Sequence, residues 1–256
     1  MRTGRTQLQS PCGKHAAAAF TLTELAVLIA IIGLLGCLLV AAALRNSDQI
    51  KRAQCRSNLM QFAAATQIYG NEYGDKLPSM SPGNWAWDLP WTTGTIITQW
   101  ISCKQLYCPG TSVRFTEQDN YSLWNYAPNN LRVIGYVPAF NGSFALIASN
   151  QNLTLTPQRI SAGTGVYLPA PPASERVLLA DATISGTGQY TYALRNTYNY
   201  TAIPGGFVIK AHISPHLRGI LPAGGNVSML DGHVEWRDFD QMQCRVSGGS
   251  TPGFWW

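Results

Sequence analysis

The sequence predicts an α+β chain in which one long N-terminal helix packs on a β-rich antiparallel head. Three observations predict it. Leu25 to Leu44 is a run of 20 residues without a charge, mostly Leu, Ile, Val and Ala. Leu59, Phe62, Ala63, Thr66, Tyr69 and Tyr73 then recur at helical spacing on one face. Beyond Gly74 the pattern changes to short β-rich runs separated by turn residues, with 24 Gly and 15 Pro in the chain as a whole. A length of 256 residues is enough to bury a sizeable core. Only 12% of residues are charged, against ~25% in an ordinary soluble domain. That composition excludes collagen, coiled coil and a charged disordered chain, and gives no basic face for nucleic acid.

Four segments follow in order. Residues 1–19 carry Arg2, Arg5 and Lys14 with no acid, as a cytoplasmic leader does. Residues 20–44 are predicted to be a membrane-inserted half-helix, because 20 residues at ~1.5 Å each span a ~30 Å hydrocarbon core. Arg45, Lys51, Arg52 and Arg56 follow this span against Asp48, so orientation rests on the leader and on the exported look of the rest, not on charge counting. Residues 45–73 continue as the amphipathic half, which lays its apolar stripe against the head. The helix is expected to run from about Thr21 to about Tyr73, a length of ~80 Å, and to stop at Gly74 and Pro78.

The head, 74–256, reads as short strands and long loops. Arg176–Asp181 and Phe207–His212 are candidate strands. The clearest local signal is the hairpin Asn226–Trp236. Asp231-Gly232 suits a two-residue type I′ turn, which would place Met229 opposite Val234 and Val227 opposite Trp236.

One residue stands out against the apolar run. Glu24 sits at its mouth, in Ala19-Phe20-Thr21-Leu22-Thr23-Glu24-Leu25. A carboxylate beside a membrane span is costly unless it is paired. Cleavage before Phe20 would create a new α-amino group, and a neighbouring subunit shifted along the helix axis could deliver that amine to Glu24. Such a pair would set the register of packed identical helices.

These residues resemble the prepilin-type cleavage and methylation signature of type IV pilins and type II secretion pseudopilins. The resemblance implies a pilin-like fold. It also implies cleavage between Ala19 and Phe20 by prepilin peptidase, N-methylation of Phe20, and Glu24 as the assembly carboxylate. The family usually has Gly before the cut, where this chain has Ala19. Cys55-Arg56-Ser57-Asn58-Leu59, Tyr107-Cys108-Pro109, Leu179-Ala180-Asp181 and the Asp231-Gly232-His233 hairpin are similar to a planctomycete and verrucomicrobial group of such proteins. That group has a His with nine residues between it and the Asp-Gly. Here Leu221 holds that place, and the nearest histidine, His216, has fourteen between. The implied function is a structural subunit of a pilus-like filament or secretion pseudopilus. Its implied partners are prepilin peptidase, like subunits through the N-terminal helix, the assembly platform and the inner membrane, with the head in the periplasm or at the cell surface after assembly.

No enzyme is expected, since there is no nucleophile elbow and no phosphate loop. Asp181, His212, His216, Asp231 and His233 show no ligand spacing along the chain, so no metal site is expected. Asp231, Glu235, Asp238 and Asp240 could offer oxygens to calcium, which some major pseudopilins bind, but they do not form an EF-hand loop. Cys55, Cys103, Cys108 and Cys244 are disulfide candidates on the oxidising side, with three pairings open. Cys103 and Cys108 lack the second pair that a zinc site needs. Trp85, Trp87, Trp91 and Trp100 suit either a sugar platform or packing of the head, and packing is the expectation. The rival reading is an exported binding protein, possibly for carbohydrate, either membrane-anchored or cut by signal peptidase after Ala41-Ala42-Ala43.

Overall fold

The protein is described here by a computed structural model that covers residues 21–161, 165–205, 210–249 and 251–256. Ala19 and Phe20 lie outside the described residues, as does the leader. Helix α1 spans Leu22–Glu72. The chain divides into two units, 1–46 and 47–256.

In the first unit, side chains are described from Thr21 to residue 35, and all of them are exposed. They include Leu22, Leu25, Leu28, Ile29, Ile32 and Leu35. Among the described residues no helix is long and apolar enough to cross a membrane. Of the expected span 20–44, Phe20 and the side chains of residues 36–44 lie outside the described residues. Thr21 and Glu24 form a reciprocal cap. The Thr21 backbone N–H and hydroxyl donate to Glu24 Oε2 at 2.9 and 2.7 Å, and the Glu24 N–H donates to Thr21 Oγ1 at 3.3 Å. This is the Thr-x-x-Glu capping box, which satisfies two orphan donors of the first turn.

In the second unit the Ser47–Glu72 part of α1 buries Leu59, Phe62, Ala63 and Thr66 of the expected stripe, and Cys55 as well. Tyr69 is half-buried, and Tyr73 is exposed and stacks on it with ring centroids 4.1 Å apart. The helix stops where Gly74 takes φ +65° and the Asp75 N–H reaches back to Gly70 O at 2.7 Å. That local 6→1 closure caps the last carbonyls and requires a left-handed residue at position 74.

The remaining elements are short. They are β1 (Asp88–Pro90), α2 (Trp91–Ile97), α3 (Glu117–Trp124), β2 (Leu131–Val133), β3 (Tyr136–Pro138), β4 (Ile160–Ser161), β5 (Tyr167–Leu168), β6 (Val177–Asp181), β7 (Thr183–Thr187), β8 (Leu217–Arg218), β9 (Leu221–Pro222), β10 (Gly224–Met229), β11 (Val234–Asp238) and β12 (Pro252–Trp255). The unit is α+β and its strand pairs are antiparallel. A four-stranded sheet runs β11-β10-β6-β3, and β12 pairs with β7. One residue, Ala182, separates β6 from β7, so the chain changes sheets at Asp181–Thr183. The core holds Leu59, Phe62, Tyr136, Leu179, Phe254 and Trp256, all buried.

One expectation differs in detail, and one falls partly outside the described residues. The hairpin β10–β11 is present, but its register is shifted by one: Val227 faces Glu235 and Ser228 faces Val234. The cause is the turn. Gly232 alone takes positive φ, at +89°, while the Gly232 N–H bonds Met229 O and the Met229 N–H bonds His233 O. This is a type I turn closed by a glycine bulge, not the two-residue type I′ turn, which needs positive φ at Asp231 too. Residues 207–209 of the expected strand Phe207–His212 lie outside the described residues. His212 forms an isolated antiparallel bridge with Ile203, with N–H to O distances of 2.8 and 2.9 Å.

Candidate functional site

Four side chains from four separate segments meet inside the head. Cys55 comes from the buried face of α1. Cys108 follows the 3-10 turn Cys103–Leu106. Asp181 ends β6, and His216 precedes β8. All four are buried, and their ligand-type atoms lie within 4.8 Å of one another. Among the described residues this is the one such group of three or more His, Cys, Asp or Glu.

The contacts are specific. The Cys55 thiol donates to Asp181 Oδ1 at 2.9 Å, and the Tyr136 hydroxyl approaches Cys55 Sγ at 3.6 Å. Cys108 Sγ lies 3.2 Å from His216 Nε2, which is 3.6 Å from Asp181 Oδ2. The Asn226 N–H donates to Asp181 Oδ2 at 2.7 Å, which fixes the second oxygen from the neighbouring strand. Burial pushes the Cys55 thiol up, against a hydrogen bond with Cys108, and pushes the Cys108 thiol well up. Burial also holds the His216 imidazole below its usual range, although the Asp181 and Asp48 carboxylates pull it the other way.

The backbone is shaped around this cluster. His216 takes φ +52°, a left-handed conformation that costs a non-glycine residue ~1 kcal/mol or more. A Cβ on Gly110 would lie 2.8 Å from His216 N, and one on Gly135 would lie 2.9 Å from both Cys108 N and Tyr107 Cα. Only glycine allows the Cys108 loop to approach from both sides. Beyond the cluster, His216 Nδ1 is buried without a hydrogen bond and lies 4.0 Å from Asp48 Oδ1. Asp48 pairs with Arg52 at 2.7 Å, and the Arg52 guanidinium stacks 4.1 Å over the Trp236 ring. A cleft of about 440 Å³ lined by Asn58, Cys103, Tyr107, Cys108, Phe115 and Trp124 leads to the Cys108 side.

The other predicted residues are placed as follows. Glu24 caps its own helix. Cys55, Cys103, Cys108 and Cys244 are all free thiols, Cys103 and Cys244 half-buried and away from the cluster. Asp231 and Gly232 make the hairpin turn. The four carboxylates weighed for calcium do not gather. Asp231 accepts from His233 Nδ1 at 2.6 Å, Glu235 from Arg237 at 2.8 Å and Asp238 from Trp236 Nε1 at 2.8 Å, while Asp240 uses its backbone oxygen to accept from Tyr192. His212 is not part of the cluster and packs against Trp87, with ring centroids 4.5 Å apart. The tryptophans form no open platform: Trp87 is buried, Trp85 and Trp100 are packed on the core, and Trp91 stacks on Arg132. The sequence named all four members of the cluster but did not group them, because 55, 108, 181 and 216 carry no common spacing.

Comparison with protein-family models, with curated proteins and with solved structures found no match.

Proposed function

We propose that this chain is a pilin-like structural subunit, processed by prepilin peptidase between Ala19 and Phe20 and assembled helix to helix in a filament or secretion pseudopilus. Before assembly it is held in a bacterial inner membrane by residues 20–44, with the head in the periplasm. It works with an assembly platform and like subunits, binds no nucleic acid, and carries out no chemistry of its own. The observation that carries this reading is the first stretch of α1. From Leu22 to Leu35 its apolar side chains are exposed on every face, and Glu24 is the sole charge. A helix apolar all round is not at rest in water; it needs lipid or other helices.

Glu24 also has a local task, since it caps its own first turn. In a bundle the same carboxylate would turn to the Phe20 amine of a neighbour, where burial strengthens the attraction. Two variants separate the tasks. Glu24→Gln keeps an oxygen for the Thr21 cap and loses the charge, and Glu24→Ala loses both. Both are expected to be cleaved normally and to yield no sheared filaments. Normal assembly of Glu24→Gln would sink the ion-pair role.

A further inference from the structure

We infer that Cys55, Cys108, Asp181 and His216 form a closed tetrahedral site for a zinc-class divalent cation, which pins the Ser47–Glu72 part of α1 to three other segments of the head. The inference stands on geometry and is independent of the filament reading.

Number and type of donors come first. Two thiols, one imidazole and one carboxylate make a mixed sulfur, nitrogen and oxygen set, suited to a borderline-soft cation and poorly suited to calcium or magnesium. Spacing comes second. Zinc bonds of ~2.0–2.3 Å put tetrahedral ligands ~3.3–3.8 Å apart. The Cys108–His216 and His216–Asp181 separations are 3.2 and 3.6 Å. The shorter Cys55–Asp181 contact, 2.9 Å, is a thiol hydrogen bond that metal binding removes.

The surroundings complete the argument. His216 directs Nε2 at the other three donors, so Nδ1 is the outward nitrogen, and that atom is buried without a hydrogen bond beside Asp48. A metal-bound histidine ordinarily gives this second N–H to a carboxylate. Asp181 is steadied in the same way by the Asn226 N–H. The strained φ of His216 and the glycines behind Cys108 show a backbone shaped to hold these atoms together. Four protein ligands leave no open position, so the role is structural. Loading is proton-balanced: the cation binds two thiolates, one carboxylate and one neutral imidazole, and the two thiol protons pass to solvent.

The test uses the full chain in detergent, purified under reducing conditions. Metal content is measured after gel filtration, and the metal-free protein is then titrated with Co²⁺. The expected result is one zinc per chain and, with cobalt, thiolate charge-transfer bands together with intense tetrahedral visible bands. Cys103→Ser and Cys244→Ser should keep both signals, and Cys55→Ser and Cys108→Ser should lose them. If those last two variants fail to fold, the cobalt spectrum of the unmodified chain decides alone. Cobalt uptake without thiolate bands, no uptake at all, or a Cys55–Cys108 disulfide found by peptide mass in protein isolated without reductant would each overturn the inference.

Discussion

Cys55 and Asp181, 126 residues apart in the chain, meet at 2.9 Å, thiol to carboxylate, with both side chains buried. The contact joins the helix to the point where the chain leaves the four-stranded sheet for the β7–β12 pair. It seats the buried face of the Ser47–Glu72 segment in the head's core.

Loss of packing under that segment should therefore be felt by the whole head. Phe62 is fully buried within the core. Phe62→Ala is expected to cost about 3–5 kcal/mol, the usual range for a buried phenylalanine. Urea denaturation followed by tryptophan fluorescence measures it. A cost below about 1 kcal/mol would mean that the head folds without the helix.

Arg132 is buried with its guanidinium 3.4 Å from the Trp91 ring centroid and 3.9 Å from that of Trp124, and its Nη1 donates to Trp124 O at 3.0 Å. A flat guanidinium fits between two rings and an ammonium does not. Arg132→Lys is expected to lower stability by about 1–3 kcal/mol. Thermal unfolding compared with the unmodified chain reads it, and an unchanged midpoint would contradict the stacking.

Two buried groups give opposite pH dependence. Burial pushes the Asp88 carboxyl up to about 6, against the N–H groups of Trp85 and Asn84, which favour its ionised form. The folded chain holds that proton more firmly than the unfolded chain, whose Asp titrates near ~3.9. Its contribution is therefore most favourable at low pH and is lost as pH rises through about 6. Burial holds His212 down to about 4, against a backbone hydrogen bond with Gly205, so its contribution is full above ~6.5 and is lost as pH falls through about 4. The two slopes oppose each other between pH 4 and 6. Asp88→Asn should expose the His212 slope, so that stability falls with acid by up to about 3 kcal/mol more than in the unmodified chain. Denaturation midpoints at pH 4, 5, 6 and 7 check it, and parallel profiles for the two proteins would refute it.

The glycine behind Cys108 gives a further prediction. An added methyl at Gly135 would meet two backbone atoms at 2.9 Å, which cannot swing aside as a side chain does. Gly135→Ala is expected to destabilise the head by about 1–3 kcal/mol, measured by chemical denaturation. An unchanged stability would mean that the Cys108 loop is free to move.

What was legible in the sequence follows from range. The apolar stripe at Leu59, Phe62, Ala63 and Thr66 is a local period, and those residues are buried. The strand Val177–Asp181 and the site of the hairpin were also local signals. Its register was not, because Asp-Gly suits both a type I′ turn and a type I turn with a glycine bulge, and the shift by one moves every cross-strand partner. The cluster was beyond local reading altogether. Asp181 and His216 stand in the sequence as candidates beside His212, which packs instead on Trp87. Cys55 and Cys108 read along the chain only as disulfide candidates. Only the tertiary fold groups an α1 residue with three loop and strand-end residues.

The N-terminal sequence and intact mass of the protein purified from its host test the central claim most directly. The account predicts a chain that begins at Phe20 with a methylated amine. A chain that begins at Leu44, or that still carries residues 1–19, would contradict it.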